Sequence, residues 1–472
     1  MKINFLEEEV ILDFLNPLLA FKALEPLGAS FLFESVEKSA HFGRYSIIGL
    51  NKLISIEIKN SYGKIVRFSD YEFFKCLDPI EFLKNEIKSL SLKKDNKFAA
   101  FYGYFSYENI YYFEPKTKVN KFKKDTLKLP DIILSFPEAI VIFDNLKQKV
   151  KIFVFYKENE EKRAIYFLKQ IKDALLSSKI TLSPLKDINF SKKELLAEFK
   201  VNLSDKDYKL IVKKAKEYIR QGDIIQVVLS RKFYKDFFAS PFDLYRALRF
   251  TNPSPYMYYL NYNNFYIVGA SPEVLVKKIG KEVIIRPIAG TRRRGKTLEE
   301  DKALEIELLN DEKEKAEHIM LVDLARNDLG KIAKPGSVKV NELMTIEKYS
   351  HVMHIVSNVI AEPKENIMHF DIFKEAFPAG TVTGAPKVRA MQIIDELEPD
   401  YRSVYAGAVG YFNLQNDFDT AIAIRTGIIK NNKFYVQTGA GIVADSIEEL
   451  EVKETQNKAM ALLKAVKIIE NI

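Results

Sequence analysis

Two stretches of this chain each place two glutamates one helix turn apart, and any fold of the chain must accommodate both pairs. Residues 311–330 have the pattern of a helix, with Asp311 as a typical N-cap and Gly330 at the predicted end. Glu314 and Glu317 then lie on one face of it, because residues three apart are neighbours on a helix. A second helix is predicted near the C-terminus, where Ser446 is the expected N-cap and residues 451 and 454 are again both glutamate.

The paired glutamates fit two interpretations. Each pair is either a solvated helix face or part of a cation site, since four crowded carboxylates raise one another's pKa unless a positive charge neutralises them. Glu314, Glu317, Glu451 and Glu454 offer oxygen ligands only, which favours magnesium. A zinc site is excluded at His318, because the inverted zinc motif needs a histidine where this chain has Glu314.

The composition is that of a globular protein of the cell interior. Of the 472 residues, 47% are hydrophobic and 29% charged, no apolar run is long enough for a membrane span, and the first residues lack a signal peptide's pattern. The single cysteine, Cys76, excludes an internal disulfide framework and agrees with a reducing cytosol. The net charge of +8 is spread along the chain. We therefore expect a cytoplasmic protein with neither nucleic-acid nor membrane partners.

The order of predicted elements indicates a mixed α and β protein with two regions. Short β segments fill residues 31 to about 156, a helix follows at 159–178, and the polar stretch 183–194 is the best linker. We place the boundary near 190, with an N-terminal region of 1–190 and a second region of 197–472. In the second region Ser204 is the predicted cap of a helix that ends near Arg220, and three sequential strands are expected between Tyr405 and Ser446.

A turn rich in glycine and threonine, residues 380–387, stands directly before a helix predicted to begin at Pro386. Backbone N–H groups at a helix N-terminus, together with the hydroxyls of Thr381 and Thr383, can hold a carboxylate or phosphate. The spacing is not that of a nucleotide P-loop, which excludes an NTPase of that class.

Arg425 lies inside the apolar run AIAIRTGI, where an unpaired guanidinium is costly. Its partner is a carboxylate either of the protein or of a ligand, and the residues alone leave both interpretations open. Gly439 and Gly441 allow a close approach to the backbone just before the second glutamate pair.

These motifs, in this order, resemble those of the chorismate-utilising enzymes, and most closely those of anthranilate synthase large subunits. The resemblance covers nearly the whole chain and is carried by QVVLSR, GASPE, PIAGTRRRG, the 311–330 helix, HIVS, GTVTGAPK, AIRTG, QTGAGIVADS and ExxETxNK. It implies an α/β (α+β) fold in which two antiparallel β-sheets pack between helices as a four-layer sandwich, with the two sequence regions intertwined in one body.

The resemblance also implies roles for individual residues. Glu273 corresponds to the acid near the leaving 4-hydroxyl of chorismate, and His354 to a histidine that assists proton transfer, although a structural role for His354 stays open. The four paired glutamates would bind Mg²⁺, which holds the ring carboxylate. Contacts to chorismate fall on Gly290, Thr291, Thr381, Tyr405, Arg425, Gly439, Ala440 and Gly441.

Two positions distinguish reactions within the family. Isochorismate and salicylate synthases have a lysine that activates water where this chain has Gln226, and aminodeoxychorismate synthases have a nucleophilic lysine where it has Ala289. The resemblance therefore implies that ammonia attacks chorismate, followed by elimination of pyruvate to give anthranilate. Aminodeoxychorismate synthesis is the alternative within the family, and a catalytically silent tryptophan-binding protein is the alternative outside it.

Two further expectations concern regulation and assembly. The family's tryptophan site is lined by LLES and NPSPYM segments, which correspond here to Ser35, with Phe33 in place of a leucine, and to Pro255, Tyr256 and Met257. The resemblance thus implies feedback inhibition by tryptophan. The lone cysteine has no glutaminase motif around it, so we expect ammonia from a glutamine amidotransferase subunit in a hetero-oligomer.

Overall fold

The structure is a computed structural model that describes residues 1–12, 14–35, 44–68, 70–120, 122–186, 188, 190–349 and 352–470. In these ranges the α-helices are α1 (Pro17–Leu24), α2 (Pro79–Ser89), α3 (Ile110–Phe113), α4 (Glu161–Leu176), α5 (Lys192–Ala197), α6 (Asp205–Arg220), α7 (Pro241–Thr251), α8 (Leu298–Asn310), α9 (Glu312–Ile332), α10 (His369–Ala376), α11 (Lys387–Leu397) and α12 (Glu448–Ile469). No helix of this part of the chain is both long and apolar enough to cross a membrane.

The strands of the same ranges alternate with these helices throughout the chain. They are β1 (Lys2–Val10), β2 (Ala29–Glu34), β3 (Tyr45–Leu50), β4 (Ile54–Lys59), β5 (Tyr62–Arg67), β6 (Asp70–Lys75), β7 (Ser91–Leu92), β8 (Ala100–Phe105), β9 (Ile132–Phe136), β10 (Ala139–Asp144), β11 (Lys149–Lys157), β12 (Lys200–Val201), β13 (Gln226–Asp236), β14 (Tyr256–Asn261), β15 (Phe265–Ser271), β16 (Val274–Ile279), β17 (Glu282–Ile285), β18 (Ile288–Arg293), β19 (Lys339–Lys348), β20 (Val352–Ala361), β21 (Gly384–Ala385), β22 (Ala408–Asn413), β23 (Phe418–Ile422), β24 (Thr426–Lys430) and β25 (Lys433–Ile442).

The strands form two large sheets. The first runs β12-β13-β25-β24-β15-β14-β2-β3-β10-β11-β1-β7 with β21 beside β13, and the second runs β18-β20-β17-β16-β23-β22-β8-β9-β4-β5-β6 with β19 beside β20. Neighbouring strands are antiparallel, apart from the short parallel pair of β1 with β7 in the described part of the chain. Both sheets contain strands from before and after residue 190. The predicted fold class, a mixed protein with two antiparallel sheets, is confirmed.

The main hydrophobic core lies between the sheets and extends over the second sheet to the helices beyond it. It joins Ile142 of the first sheet to Ile56 of the second, and it includes residues of α2, α9, α10 and α11. A second core packs the other face of the first sheet against α1, α4, α7 and α12. The layers therefore follow the order helices, sheet, sheet, helices. The acidic helix α9 packs in the main core, whereas α12 packs mostly in the second core and contributes Val452 to the main one.

The caps of the acidic helices differ from expectation in detail. Asp311 caps α9 as predicted by accepting from the N–H groups of Lys313 and Glu314, but the helix continues past Gly330 to Ile332. Ile332 is only 3% exposed, so its burial outweighs the helix penalty of about 1 kcal/mol at a glycine. Ser446 is not the cap of α12, whose N-cap is Ile447. The Ser446 hydroxyl instead accepts from the N–H of Val443 in the preceding turn.

The three strands expected between Tyr405 and Ser446 are in fact four. The segment 419–429, predicted as one strand, is divided between β23 in the second sheet and β24 in the first. Arg425 stands at the break with a φ of 51°, a backbone conformation that no β-strand continues through. The chain thus crosses from one sheet to the other at this arginine, which places its side chain between the sheets' ends.

Candidate active site

One cavity of about 860 Å³ brings together most of the predicted site residues, from β13 to α12. The predicted residues that line it are Gln226, Glu273, Gly290, Thr291, Glu314, Glu317, His354, Thr381, Tyr405, Arg425, Gly439, Gly441, Glu451 and Glu454. Ala440 is not among its lining residues and is fully buried in the main core. It stands between two of the lining glycines on β25, where successive residues point to opposite faces.

One wall of the cavity is acidic. Burial first, and then the neighbouring Glu317, raises the pKa of Glu314. Burial also raises the pKa of Glu451, with a further contribution from Glu454. The Nζ of Lys458 lies 2.7 Å from a carboxylate oxygen of Glu454. This mutual repulsion and the oxygen-only donor set fit a hard divalent cation.

The four glutamates do not form a closed metal site in the structure. Across the described ranges, no three acidic, histidine or cysteine side chains converge closely enough to hold a metal ion. The Nε2 of Gln226 donates to Glu317 over 3.3 Å, and Arg292 lies 3.6 Å from Glu314. The two pairs thus face one cavity from two helices while keeping protein partners of their own.

Arg425 provides positive charge in the same cavity. Its Nη1 donates to the Oδ1 of Asn252 over 3.2 Å, and in the described part of the chain no carboxylate lies within ion-pair distance of it. Burial lowers the pKa of its guanidinium, so the charge is poorly solvated. A buried cation without an acidic partner is expensive unless a ligand supplies the anion. Of the two interpretations of Arg425 that its sequence leaves open, the contacts therefore favour a ligand carboxylate.

Glu273 lies in the turn between β15 and β16 and is 8% exposed. Burial raises the pKa of its carboxyl to about 8, against the opposing effects of the Thr381 hydroxyl and the Lys458 ammonium. At neutral pH the side chain is therefore mostly protonated. A carboxylic acid in that state can donate a proton to a leaving oxygen.

His354 lies on β20 beside β18. Its Nδ1 is 3.0 Å from the carbonyl oxygen of Gly290 and 3.0 Å from the hydroxyl of Thr291. A carbonyl can only accept, so the first contact assigns the proton to Nδ1 and leaves a lone pair on Nε2. Burial lowers the pKa of the ring, which keeps it neutral. The imidazole is thus oriented to accept a proton rather than to carry a charge.

Two glycines of β25 line the cavity where larger residues would not fit. A side-chain carbon on Gly439 would lie 2.7 Å from the Tyr405 hydroxyl, and one on Gly441 would lie 2.7 Å from the Nε2 of Gln226. Both distances are shorter than van der Waals contact. The backbone at these positions is accordingly exposed to the cavity, where its polar groups can reach a ligand.

The predicted effector residues come together at the junction of β2 and β14. Met257 of β14 pairs with Glu34 at the end of β2, which sets Ser35 beside the segment of Pro255 and Tyr256. The hydroxyl of Ser35 is buried without a hydrogen-bond partner among the described residues. Tyr256 donates from its hydroxyl to Asp419 over 2.8 Å. An unsatisfied buried hydroxyl of this kind is available to a polar ligand group.

Asn252 and Lys458 also line the cavity, although neither was singled out from the sequence. Asn252 begins the NPSPYM segment, yet it lines the cavity and holds the guanidinium of Arg425. Lys458 follows Glu454 by one helix turn and also donates to the carbonyl oxygen of Gly439 over 3.1 Å. The motif ExxETxNK contained this lysine, and its spacing from Glu454 would have placed it on the same face.

Comparison with known proteins identifies the family. Residues 29–464 match the family described as chorismate binding enzyme. The chain belongs to the family of chorismate binding enzymes. Its relatives include anthranilate synthase component 1 of Aquifex aeolicus, with 45% identity over 98% of this chain and 94% of the relative. The protein of the same description from Pseudomonas putida is 43% identical over 98% of this chain and 95% of its own length.

A solved structure agrees with these relatives. Anthranilate synthase component I from Streptococcus pneumoniae TIGR4 superposes with a TM-score of 0.76 at 36% identity, covering 97% of this chain and 99% of the other. The resemblance inferred from the sequence is therefore confirmed at the level of family, fold and reaction class. The chain is an enzyme that acts on chorismate.

Proposed function

We propose that this enzyme is the large component of an anthranilate synthase, which converts chorismate and ammonia into anthranilate and pyruvate as the first step of tryptophan biosynthesis. One observation carries the assignment beyond the relatives' names. A single cavity is lined by the acidic wall of glutamates, by the buried Arg425, which has no acidic partner in the described part of the chain, and by the protonated carboxyl group of Glu273. Chorismate has two carboxylates and a hydroxyl that must leave. The arginine suits one carboxylate, a cation held by the glutamates would suit the other, and the carboxylic acid suits the hydroxyl.

The proton transfers can be assigned to residues of the cavity. Ammonia adds at C2 of the ring while the C4–O bond breaks, and Glu273 gives its proton to the departing oxygen, which leaves as water. The added nitrogen, an ammonium at first, releases one proton to solution. The neutral Nε2 of His354 then accepts the proton of C2 as the C3–O bond breaks and the ring becomes aromatic, and the released enolpyruvate takes up a proton at its methylene carbon to become pyruvate. Both residues line the cavity, and their protonation states in the structure suit these directions.

Ammonia rather than water or lysine is the proposed nucleophile. Gln226 and Ala289 both line the cavity. An amide cannot act as a base at neutral pH, and an alanine has no nucleophile, so neither of the lysine-dependent reactions of the family has its lysine here.

Magnesium belongs to the proposal as the cation of the acidic wall. Glu314 and Glu317 of α9 and Glu451 and Glu454 of α12 would hold it, and when bound it would supply positive charge to one substrate carboxylate. Arg425 would hold the other carboxylate by charge-assisted hydrogen bonds. The proposed cation and the Arg425 guanidinium would each hold one carboxylate, and together they would orient the ring between them.

A glutaminase partner and a tryptophan effector complete the proposal. Cys76 is buried, and burial first, followed by Asp78, raises the pKa of its thiol to about 11, so it does not serve as a glutaminase nucleophile. We propose that a glutamine amidotransferase subunit delivers ammonia in a cytoplasmic hetero-oligomer. Tryptophan would bind where Ser35 meets the segment from Pro255 to Met257 and lower the affinity for chorismate.

The assignment is tested by incubating the purified chain with chorismate, ammonium and magnesium and following the fluorescence of anthranilate. We expect anthranilate and pyruvate in equal amounts, and no product when ammonium is omitted. Release of 4-amino-4-deoxychorismate without pyruvate would select the alternative within the family. Isochorismate formed without ammonium would show that water is the nucleophile, against the argument from Gln226.

A further inference from the structure

A second, smaller cavity lies behind the acid of the proposed reaction. It has a volume of about 30 Å³ and shares Glu273, Leu321 and Thr381 with the large cavity. Asp328 of α9 also lines it, and the other walls come from the second sheet and the segment that follows α10. A single water needs about 10–15 Å³ of such space, so the cavity accommodates about two waters. Glu273 therefore separates a large compartment from a small one that ends at a second carboxyl group.

Asp328 is unusually placed for a purely structural ion pair. The residue is 5% exposed, and its Oδ2 accepts from the Nζ of Lys387 over 2.6 Å. Its Oδ1 is buried and has no hydrogen-bond partner in the described part of the chain. A buried carboxylate oxygen without a donor is costly, and a water in the adjoining cavity would satisfy it.

Asp328 also has a connection to solvent. The Nζ of Lys331 lies 3.9 Å from the same Oδ1, and its side chain is 48% exposed. Glu375 of α10, itself 37% exposed, lies 3.6 Å from that ammonium. At 3.9 Å the contact is an ion pair that is too long for a direct hydrogen bond, so it brings an exposed ammonium to Oδ1 without satisfying it. The charged groups that face Asp328 are thus Lys387, Lys331 and, beyond it, Glu375, while Lys458 faces Glu273 from the large cavity.

We propose that Asp328 and the waters of the small cavity return a proton to Glu273 after each turnover. In the proposed reaction Glu273 loses its proton to the departing hydroxyl oxygen and becomes a carboxylate. A proton from solvent beside Lys331 then passes to the Asp328 carboxylate, and from there through the cavity water to Glu273. No bond other than O–H bonds is made or broken in this step. Asp328 acts through Glu273 and does not touch chorismate, and the inference rests on the proposed function.

The geometry of the large cavity explains why Glu273 would need a separate proton route. Bound chorismate would occupy the space in front of Glu273 and would itself keep solvent protons from the acid on that side. A route from behind reloads the acid while product is still bound or leaving. The small cavity is the opening that the structure provides on that side.

The test is a comparison of first and later turnovers in Asp328→Asn. The change removes the carboxylate that takes up and passes on the proton, at nearly constant volume. Glu273 starts protonated, so the first turnover should proceed at the wild-type rate, followed by a steady state at least about 10-fold slower because reloading limits it. Stopped-flow fluorescence should show a burst of about one anthranilate for each active site. The KM for chorismate should stay unchanged.

Asp323→Asn is the matched control, because Asp323 lies on the same helix, is 62% exposed and pairs only with Arg326 among the contacts described for it. It should show no such burst and no loss of rate. A second variant, Ala325→Val, fills the small cavity that Ala325 lines without touching the charges. Ala325→Val should reproduce the burst and the slow steady state. It therefore tests the relay even if Asp328→Asn does not fold.

Two results would overturn the relay. In one, Asp328→Asn and Ala325→Val turn over at the wild-type steady-state rate. In the other, their first turnover is slowed as much as the later ones, which indicates a structural role. If wild type and Asp323→Asn form no anthranilate at all, the proposed function fails and the relay with it, which separates the two kinds of failure.

Discussion

Replacing Glu273 by glutamine should weaken catalysis and strengthen the fold at the same time. The glutamine side chain has nearly the same volume, but it cannot ionise and cannot give a proton to the leaving hydroxyl. General acid catalysis contributes about 10²- to 10⁴-fold, so kcat should fall by that factor. In the wild-type enzyme, kcat/KM should decrease as the pH rises above about 8, where Glu273 loses its proton.

The stability effect follows from the raised pKa. Folding moves the pKa of Glu273 from 4.5 to about 8, so the folded state binds this proton more tightly than the unfolded state does. The contribution to stability is complete below pH 4.5 and is lost as the pH rises through about 8. One pH unit corresponds to about 1.4 kcal/mol, so the wild-type chain loses about 3 kcal/mol by pH 7 and about 5 kcal/mol above pH 8. The free energy of unfolding of the glutamine variant does not decrease for this reason, because its side chain does not ionise.

The measurement is the free energy of unfolding in urea at several pH values between 5 and 9. The difference between Glu273→Gln and wild type should grow in favour of the variant by about 2 kcal/mol between pH 6 and pH 8. Glu312→Gln is the control, because its carboxylate is 87% exposed on α9 and should give a constant difference. A difference for Glu273→Gln that does not change with pH would refute the assignment of a protonated acid at this position.

Four further substitutions test the proposed metal, substrate and effector sites. Glu317→Gln and Glu454→Gln should each abolish magnesium-dependent turnover without a loss of unfolding free energy, and full activity in both would remove the basis for the metal site. Arg425→Gln should raise the KM for chorismate by about 10- to 150-fold, the equivalent of a charge-assisted hydrogen bond of about 1.5–3 kcal/mol, whereas Arg326→Gln at an exposed helix position should leave it unchanged. Ser35→Phe should block tryptophan binding in calorimetry and desensitise the enzyme while the uninhibited rate stays the same, and persistent inhibition would place the effector elsewhere.

Local signals were sufficient for most helix starts. Ser204 accepts from the N–H of Asp207 at the start of α6, and Asp311 accepts from two N–H groups at the start of α9, both as their sequence predicts. Capping depends on residues within one turn, which the sequence contains in full. Helix ends depend more on tertiary packing. Gly330 does not end α9 because Ile332 beyond it is drawn into the core.

The strand break at Arg425 illustrates what the sequence could not provide. The apolar pattern of residues 419–429 is continuous, so periodicity predicts one strand. The structure sends its two halves into different sheets, and the reason lies in their partners: β23 pairs with β22 and β16, and β24 pairs with β15 and β25. These pairings join segments up to about 160 residues apart, as in the pairing of β15 with β24. The position of the site between the sheets follows from that division.

The contact of Asn252 with Arg425 also depends on strand pairing between distant segments of the chain. Asn252 follows α7 and precedes β14, whose Met257 pairs with Glu34 in the predicted effector region. Its side chain bonds both Ser254, over 3.2 Å, and the guanidinium in the cavity. A single short segment therefore connects the two places, and a shift of β14 would move the group that orients Arg425. Coupling between the sites needs such an element with different contacts in each state.

In the proposed reaction, Gln226 is the side chain that favours ammonia over water as the nucleophile. Its amide donates to Glu317 over 3.3 Å and packs against the backbone of Gly441. A lysine at this position would set an ammonium beside Glu317 and compete for the charge that the proposed magnesium requires. It would also bring a base to water near the ring. Glutamine does neither, since it satisfies the carboxylate as a neutral donor. In the proposed reaction, Gln226 would therefore leave the acidic wall to the cation and would provide no base for water.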